Sequence, residues 1–209
     1  LGSDLILLDR NSDRLQAIAQ EFSALYNVNV APLACDLESD DHILHASSWI
    51  ANNVGRLDVL INNAAFVGSS SLQGWAVPFD EQTVDTWRRA LEVNLTAVFS
   101  LAKRLRSLLS ASGNGSIVNI SSIYGLQGPD LSLYEGTDMN NPAAYAASKG
   151  GLIQLTRWLS TVLSPEIRVN AISPGGIARG QAASFVNRYV SRTPLRRMGS
   201  EEDLKGALA

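Results

Sequence analysis

The chain has 209 residues, of which 45% are apolar, so it can bury the core of one globular domain without disulfides. Its net charge is −3 and its 17 basic residues form no run, which argues against a nucleic-acid partner. The single cysteine, Cys35, cannot form an internal disulfide, as is typical of a reducing compartment. No signal peptide and no apolar run of membrane-spanning length is found. We therefore expect one domain over residues 1–209, in the cytoplasm, with no membrane and no metal.

Short apolar runs alternate with helical patterns along the chain. The predicted strands are 5–8, 28–34, 57–61, 115–120 and 167–172. The predicted helices are one capped by residues 11–13, then about 40–53, 81–109 and 142–163. Pro32 is a mild objection to the second strand. Strands and helices that alternate with short connections predict an α/β fold, a doubly wound parallel sheet with helices on both faces.

Small and polar residues follow each predicted strand. They are Asp9, residues 35–37, residues 62–65, Ser121 with Ser122, and residues 173–176. Turns alone favour such residues. Ligands of doubly wound sheets, however, bind in the crevice beyond the carboxyl ends of the strands, so these positions also indicate a binding site.

Tyr145 and Lys149 lie four residues apart on the last long predicted helix, which Pro142 opens and Asn141 caps. Residues at this spacing are neighbours on one face, so both side chains can reach one bound group. A nearby ammonium favours the phenolate, and a tyrosine tuned in this way can exchange a proton with a carbonyl or alcohol oxygen. The pair alone could equally be an ordinary surface Tyr and Lys.

Six motifs in fixed order resemble the short-chain dehydrogenase/reductase family over nearly the whole chain. They are Asp36-Leu37, residues 62–65 (Asn-Asn-Ala-Ala), Asn94, Ser122, Tyr145-x-x-x-Lys149, and Pro174-Gly175. The resemblance implies a Rossmann-like fold and an oxidoreductase that interconverts a secondary alcohol and a ketone by hydride transfer with NAD(P). It also implies a homodimer or homotetramer, for which apolar residues of the helices at 81–109 and 142–163 are candidates; they could equally pack on the sheet. These residues are Val98, Leu101, Leu105, Leu152, Leu155 and Leu159.

By this resemblance the catalytic residues are Asn94, Ser122, Tyr145 and Lys149. Tyr145 is the acid/base, and Ser122 hydrogen-bonds the substrate oxygen. Lys149 holds the nicotinamide ribose and lowers the pKa of Tyr145, and Asn94 anchors a water that links Lys149 to solvent.

The cofactor-binding residues implied by the resemblance are Asp9, Arg10, Asp36, Leu37, Asn63, Ala64, Ala65, Tyr145, Lys149, Pro174, Gly175 and Ile177. Asp9 can bind the ribose hydroxyls and would repel a 2′-phosphate, which favours NAD. Arg10 could pair with that phosphate, so NADP stays open. Ala65 stands where the family has glycine.

The chain also departs from the family pattern. It opens at what corresponds to the family's second strand, without the glycine-rich turn, so we expect a piece of a longer chain with apolar edges at 5–8 and 57–61. The stretch 123–141 is longer than is usual in the family, and its residues resemble those of a subgroup linked to bacterial surface-sugar or flagellin-glycan synthesis. It should rim the substrate pocket. Arg179 replaces the family's threonine, and four further arginines give residues 182–197 a basic character that would suit an anionic substrate.

The substrate class we consider first is a sugar or sugar nucleotide. Two rival functions remain open. A 3-oxoacyl thioester reductase would use NADP and an apolar tunnel, which Asp9 argues against. A catalytically silent homologue that binds nucleotide would not need Asn94, Ser122, Tyr145 and Lys149 together.

Overall fold

Parallel strands form the β structure of the chain, seen here in a computed structural model that describes residues 2–68 and 71–208. The strands are β1 (Leu5–Asp9), β2 (Val30–Ala34), β3 (Val59–Asn62), β4 (Gly115–Ile120) and β5 (Ile167–Ile172). β1 pairs with β2, and β3, β4 and β5 form a second sheet in that order. All of these pairings are parallel. The Rossmann-like α/β fold that the sequence predicts is thereby confirmed.

Helices connect the strands. They are α1 (Ser12–Tyr26), α2 (Asp40–Asn53), α3 (Val84–Leu91), α4 (Ala97–Ala111), α5 (Ala143–Val162), α6 (Ala183–Arg192) and α7 (Glu202–Leu208). Asn11 caps α1 as predicted, since its side chain accepts a hydrogen bond from the backbone N–H of Arg14. Among the described residues no helix combines the length and the apolar character needed to cross a bilayer.

The two sheets leave apolar strand edges open. In the described part of the chain β1 pairs only with β2, and β3 pairs only with β4. Val59 and Ile61 of β3 are therefore 46% and 45% exposed. This agrees with the apolar edge that the sequence predicts at 57–61. Pro32 is tolerated in β2 because that strand pairs on one side only, opposite Leu7 of β1.

The main core lies between the strands and helices α2, α4 and α5. Ile43 of α2, Leu105 of α4 and Ile117 of β4 are almost fully buried there. Burial of such a side chain contributes about 1.5–3 kcal/mol. The predicted interface residues Val98, Leu101, Leu105, Leu152 and Leu159 are buried inside the chain, and Leu155 packs against the core. The alternative that they pack on the sheet is correct, since the apolar stripe of each helix faces inward.

The long helix predicted over about 81–109 is present as a contiguous helical run over 84–111, made of α3, a π-helical turn and α4. Thr83 caps α3, because its hydroxyl accepts from the N–H of Thr86, so the helix begins at Val84. A wider π-helical turn, Glu92–Thr96, then separates α3 from α4, and the N–H of Ala97 donates to the carbonyl of Glu92 five residues back. Asn94 lies inside this turn.

The predicted N-cap of α5 is wrong. Asn141 makes no capping bond, and within the described residues its buried Oδ1 has no hydrogen-bond partner. The first helical N–H, of Ala143, donates instead to Oε1 of Gln82 at 3.0 Å. A side chain distant in sequence thus satisfies the N–H that a local cap would have taken.

Candidate active site

Three of the predicted catalytic side chains converge where β4 ends against α5. Ser122 follows β4 and is buried, and its side chain hydrogen-bonds that of Tyr145. The Nζ atom of Lys149 lies 5.8 Å from the centre of the Tyr145 ring. The helical spacing of Tyr145 and Lys149 and the strand-end position of Ser122 therefore place all three at one site, as the sequence predicts.

Lys149 is held deep in the protein. Its side chain donates from Nζ to the carbonyl of Ile120 at 2.8 Å, and its own carbonyl accepts from the Ser121 hydroxyl at 2.9 Å. Gly125 packs on this carbonyl so closely that an added Cβ would lie 2.7 Å from it. Because Lys149 is only 3% exposed, burial lowers its pKa from 10.5 to about 8.

The pKa of Tyr145 is raised, so the expected lowering by Lys149 is contradicted. Burial of the phenol is the largest cause, the hydrogen bond from Ser122 opposes it, and the nearby Tyr134 adds to it. The reason that Lys149 has little effect is its direction: the ammonium binds the Ile120 carbonyl.

Asn94 ties this site to the loop after β3. Its Oδ1 accepts from the N–H of Phe66 at 2.6 Å, and its Nδ2 donates to the Phe66 carbonyl at 3.3 Å and to the Ser148 hydroxyl at 2.9 Å. The Ser148 hydroxyl donates in turn to the carbonyl of Tyr145 at 2.9 Å. Ser148 escaped the sequence analysis, although its place between Tyr145 and Lys149 on the inner face of the helix was a signal.

Replacing Asn94 with Ala is expected to lower the free energy of unfolding by about 1–3 kcal/mol, because the buried N–H of Phe66 loses its acceptor. Urea unfolding monitored by circular dichroism measures the change. The matched control is Asn53→Ala on the exposed end of α2, which should cost less than about 0.5 kcal/mol. Equal losses in the two variants would contradict a structural tie through Asn94.

A cleft lies beyond the ends of β1, β2 and β3. Its volume is about 570 Å³, within the range typical of ligand pockets. Of the predicted cofactor residues, six line it: Asp9, Arg10, Asp36, Leu37, Ala64 and Ala65. One Asp9 oxygen accepts from the N–H of Asn11 at 2.9 Å, so the other oxygen is available for a ribose hydroxyl. The size of the cleft and this carboxylate fit the adenosine half of a dinucleotide.

The other predicted cofactor residues lie outside the lining of this cleft. They are Asn63, Tyr145, Lys149, Pro174, Gly175 and Ile177. Pro174 is beside Ser122, since its carbonyl accepts from the N–H of Ile123 at 3.1 Å. Six of the predicted cofactor residues thus lie at the cleft, and of the other six Tyr145 and Pro174 lie near Ser122.

An ion pair that sequence reasoning missed closes one side of the cleft. Arg89 of α3 donates from Nε and Nη2 to both carboxylate oxygens of Glu38, at 2.8 and 3.0 Å. Its guanidinium lies over the Phe66 ring, 4.9 Å from the ring centre. The two charged residues are 51 positions apart in sequence, so no local pattern predicts their contact.

Known proteins resemble this chain in sequence and in fold. The family model described as short chain dehydrogenase matches residues 1–188. The chain belongs to the short-chain dehydrogenase family. Its relatives include trans-4-hydroxycyclohexanecarboxylate dehydrogenase of Sinomonas cyclohexanicum, which is 32% identical, with 97% of this chain and 73% of the relative covered.

Two further similarities concern a reductase and a solved structure. The 3-oxoacyl-[acyl-carrier-protein] reductase FabG of Thermotoga maritima is 30% identical, with 97% of this chain and 77% of the reductase covered. The crystal structure of NAD⁺-bound xylitol dehydrogenase superimposes with a TM-score of 0.81 at 27% identity, covering 97% of this chain and 80% of that one.

Membership of the short-chain dehydrogenase family confirms the predicted activity class. The protein is an NAD(P)-dependent oxidoreductase that interconverts a secondary alcohol and a ketone.

Proposed function

We propose that Tyr145 is the acid/base of this reaction and that Ser122 binds the reacting oxygen. The observation that carries the proposal is the contact of the two hydroxyls in a buried site above Lys149. NAD(P), when bound, accepts a hydride from the alcohol carbon or returns it to the ketone carbon. Tyr145 takes the hydroxyl proton during oxidation and gives it back during reduction, while the Ser122 hydroxyl stabilises charge on the same oxygen.

Lys149 stabilises the tyrosinate, the form of Tyr145 that takes the proton during alcohol oxidation and that ketone reduction leaves behind. For this the ammonium must act across the 5.8 Å that separates Nζ from the centre of the Tyr145 ring. Because burial brings the pKa of Lys149 to about 8, its charge is full only below that pH. Asn94 and Ser148 keep the first turn of α5 in place through their bond of 2.9 Å.

NAD is the proposed cofactor. The Asp9 carboxylate faces the cleft and would repel a 2′-phosphate, whereas it can accept from ribose hydroxyls. Arg10 and Arg14 also line the cleft and would favour that phosphate. Asp9 lies at the end of β1, where the family binds the ribose, and its charge therefore decides the preference.

Fluorescence titration is expected to show tighter binding of NADH than of NADPH. Asp9→Asn removes the charge and keeps the shape, so NADPH affinity should rise about tenfold, which corresponds to about 1.4 kcal/mol. The control is Asp13→Asn, an exposed carboxylate on α1 that does not line the cleft. Tighter NADPH binding by the unaltered protein would contradict the assignment of Asp9.

The proposed substrate is a neutral polyhydroxylated compound, such as a sugar or polyol. Its support is that the arginines near the site are already bound to protein groups. Arg179 pairs with Glu201 at 3.0 Å, Arg192 with Asp130 at 2.8 Å, and Arg197 with Asp203 at 2.7 Å. Arg192 lines the cavity beside Ser122, and because it is paired with Asp130 that cavity offers little free positive charge for an anionic substrate.

A 3-oxoacyl thioester reductase is the second candidate, because FabG of Thermotoga maritima is 30% identical. The cavity beside Ser122 is lined by apolar as well as polar residues, and its ion pair of Arg192 and Asp130 does not suit an acyl chain. Kinetic assays with xylitol and NAD and with acetoacetyl-coenzyme A and NADPH distinguish the two. Higher kcat/KM for the thioester would favour the reductase, and cofactor binding without any turnover would favour the silent homologue.

We also propose a homodimer or homotetramer of one dinucleotide-binding domain in the cytoplasm. Phe99 of α4 and Trp158 and Val162 of α5 are exposed apolar residues and replace the predicted interface residues as candidates. The buried free thiol of Cys35 fits a reducing compartment.

A further inference from the structure

A cavity of about 200 Å³ lies next to Ser122, and Ile123, the following residue, is part of its lining. One wall is the segment that follows Ser122, and the other is α6 with the residue after it. The lining residues are Ile123, Tyr124, Gln127, Asp130, Leu133, Tyr189, Arg192 and Thr193. The N–H of Tyr124 donates to the Ser122 hydroxyl oxygen at 3.2 Å, so the cavity is fixed relative to that oxygen.

The Tyr124 hydroxyl retains one proton for a ligand. Its oxygen accepts from the Tyr134 hydroxyl at 2.8 Å. Over residues 2–68 and 71–208, no protein group accepts the Tyr124 proton. The phenol stays neutral, since burial raises its pKa well above the ordinary value. Tyr124 is therefore a donor at neutral pH.

Tyr134 is held from both sides. Its ring packs against Phe185 of α6, with ring centres 5.3 Å apart. Arg188 of α6 donates to the carbonyl of Leu133 at 3.2 Å and to the carbonyl of Glu135 at 2.6 Å. The backbone on each side of Tyr134 is thus tied to the helix, and the hydroxyl that orients Tyr124 keeps its place.

The charges that face the cavity compensate each other. Arg192 forms an ion pair with Asp130 at 2.8 Å and also donates to the Ser132 hydroxyl at 2.9 Å. A carboxylate or phosphate would have to displace Asp130 from its partner. A neutral oxygen can accept from Tyr124 with no such cost.

We infer that Tyr124 is a specificity-determining residue that donates a hydrogen bond to a second substrate oxygen, other than the one that reacts. Tyr134 is its positioning residue, acting through the hydroxyl–hydroxyl bond. The inference deepens and rests on the proposed function: it assigns the residue that distinguishes a polyol from a simple alcohol.

Steady-state kinetics with xylitol and cyclopentanol test the inference, because both have five carbons but only xylitol has additional hydroxyls. In Tyr124→Phe the ratio of kcat/KM for xylitol to that for cyclopentanol should fall about three- to tenfold, mainly through KM, as expected for one lost hydrogen bond. Tyr134→Phe should lower the same ratio by a smaller factor. Tyr26→Phe, on the exposed end of α1, should leave it unchanged.

Two outcomes separate the inference from the proposed function. An unchanged ratio in both Tyr124→Phe and Tyr134→Phe, with folding verified by thermal unfolding, overturns the inference alone. Failure of the unaltered protein to oxidise xylitol better than cyclopentanol overturns the polyol proposal and the inference with it. Calorimetric titration of xylitol in the presence of NADH adds a binding measurement, in which weaker binding by Tyr124→Phe supports the inference.

Discussion

Replacement of Tyr145 with Phe is expected to lower kcat by about 10²–10⁴-fold, the range typical of a lost general acid or base. The phenylalanine ring fills the same space. Its packing against a cluster of apolar side chains that includes Phe66 and Trp75 is therefore kept. Only the hydroxyl that exchanges the proton is removed, together with its bond to Ser122. Initial rates of alcohol oxidation, monitored by NADH absorbance, measure the loss.

Cofactor binding serves as the internal control of that experiment. The adenosine cleft is lined by groups such as Asp9 and Asp36, and Tyr145 is not among them, so the NADH dissociation constant should change by less than about threefold. Tyr26→Phe is the matched variant, because it removes a phenol at the surface. Full turnover by Tyr145→Phe would show that another group exchanges the proton.

Local patterns predicted the regular parts of the fold well. The predicted bounds 115–120, 167–172 and 40–53 are those of β4, β5 and α2. Apolar runs and helical stripes determine these elements, since each is buried by neighbours in the main core. The π-helical turn at Asn94 and the start of α5 could not be predicted, because partners distant in sequence determine them: Phe66 bonds Asn94, and Gln82 bonds the N–H of Ala143.

The sequence predicted which residues lie together at the candidate site, but not the direction in which the pKa of Tyr145 is shifted. Parallel strands bring their carboxyl ends to one edge, which is why Ser122 and Asp9 were expected at a binding site, whereas their roles were implied by the family resemblance. The direction of a long side chain depends on its surroundings, and Lys149 binds the Ile120 carbonyl. The pKa of Tyr145 is raised by burial, opposite to the lowering that was expected, and Lys149 is not among the causes of its shift.

Replacement of Lys149 with Met is expected to abolish function and to stabilise the fold. Removal of the ammonium takes away the positive charge that stabilises the tyrosinate, and kcat should fall about 10²–10³-fold. In the same variant the free energy of unfolding near neutral pH should rise by about 1–3 kcal/mol, because a cation no longer has to be buried. Urea unfolding gives the second quantity on the same preparation.

The sign of the pH dependence follows from the lowered pKa. Lys149 has a pKa of about 8 in the folded chain and an ordinary value of 10.5, so between these values the unfolded chain binds more protons. The free energy of unfolding of the unaltered protein should therefore rise with pH through this window, by up to about 3 kcal/mol. Cys35, whose pKa burial raises, acts in the opposite direction above its ordinary value of 9.0, and Tyr124 and Tyr145 do so above 10, so pH 8 to 9 isolates Lys149.

Two variants, Lys149→Met and Lys103→Met, show whether Lys149 causes the rise of the free energy of unfolding with pH. Lys149→Met should lose the slope between pH 8 and 9, whereas Lys103→Met, at an exposed position of α4, should keep it. If Lys149→Met is instead less stable at neutral pH, the bond of 2.8 Å to the Ile120 carbonyl outweighs the cost of burial. The ammonium would then be a stabilising group, and its activity loss could no longer be separated from damage to the fold.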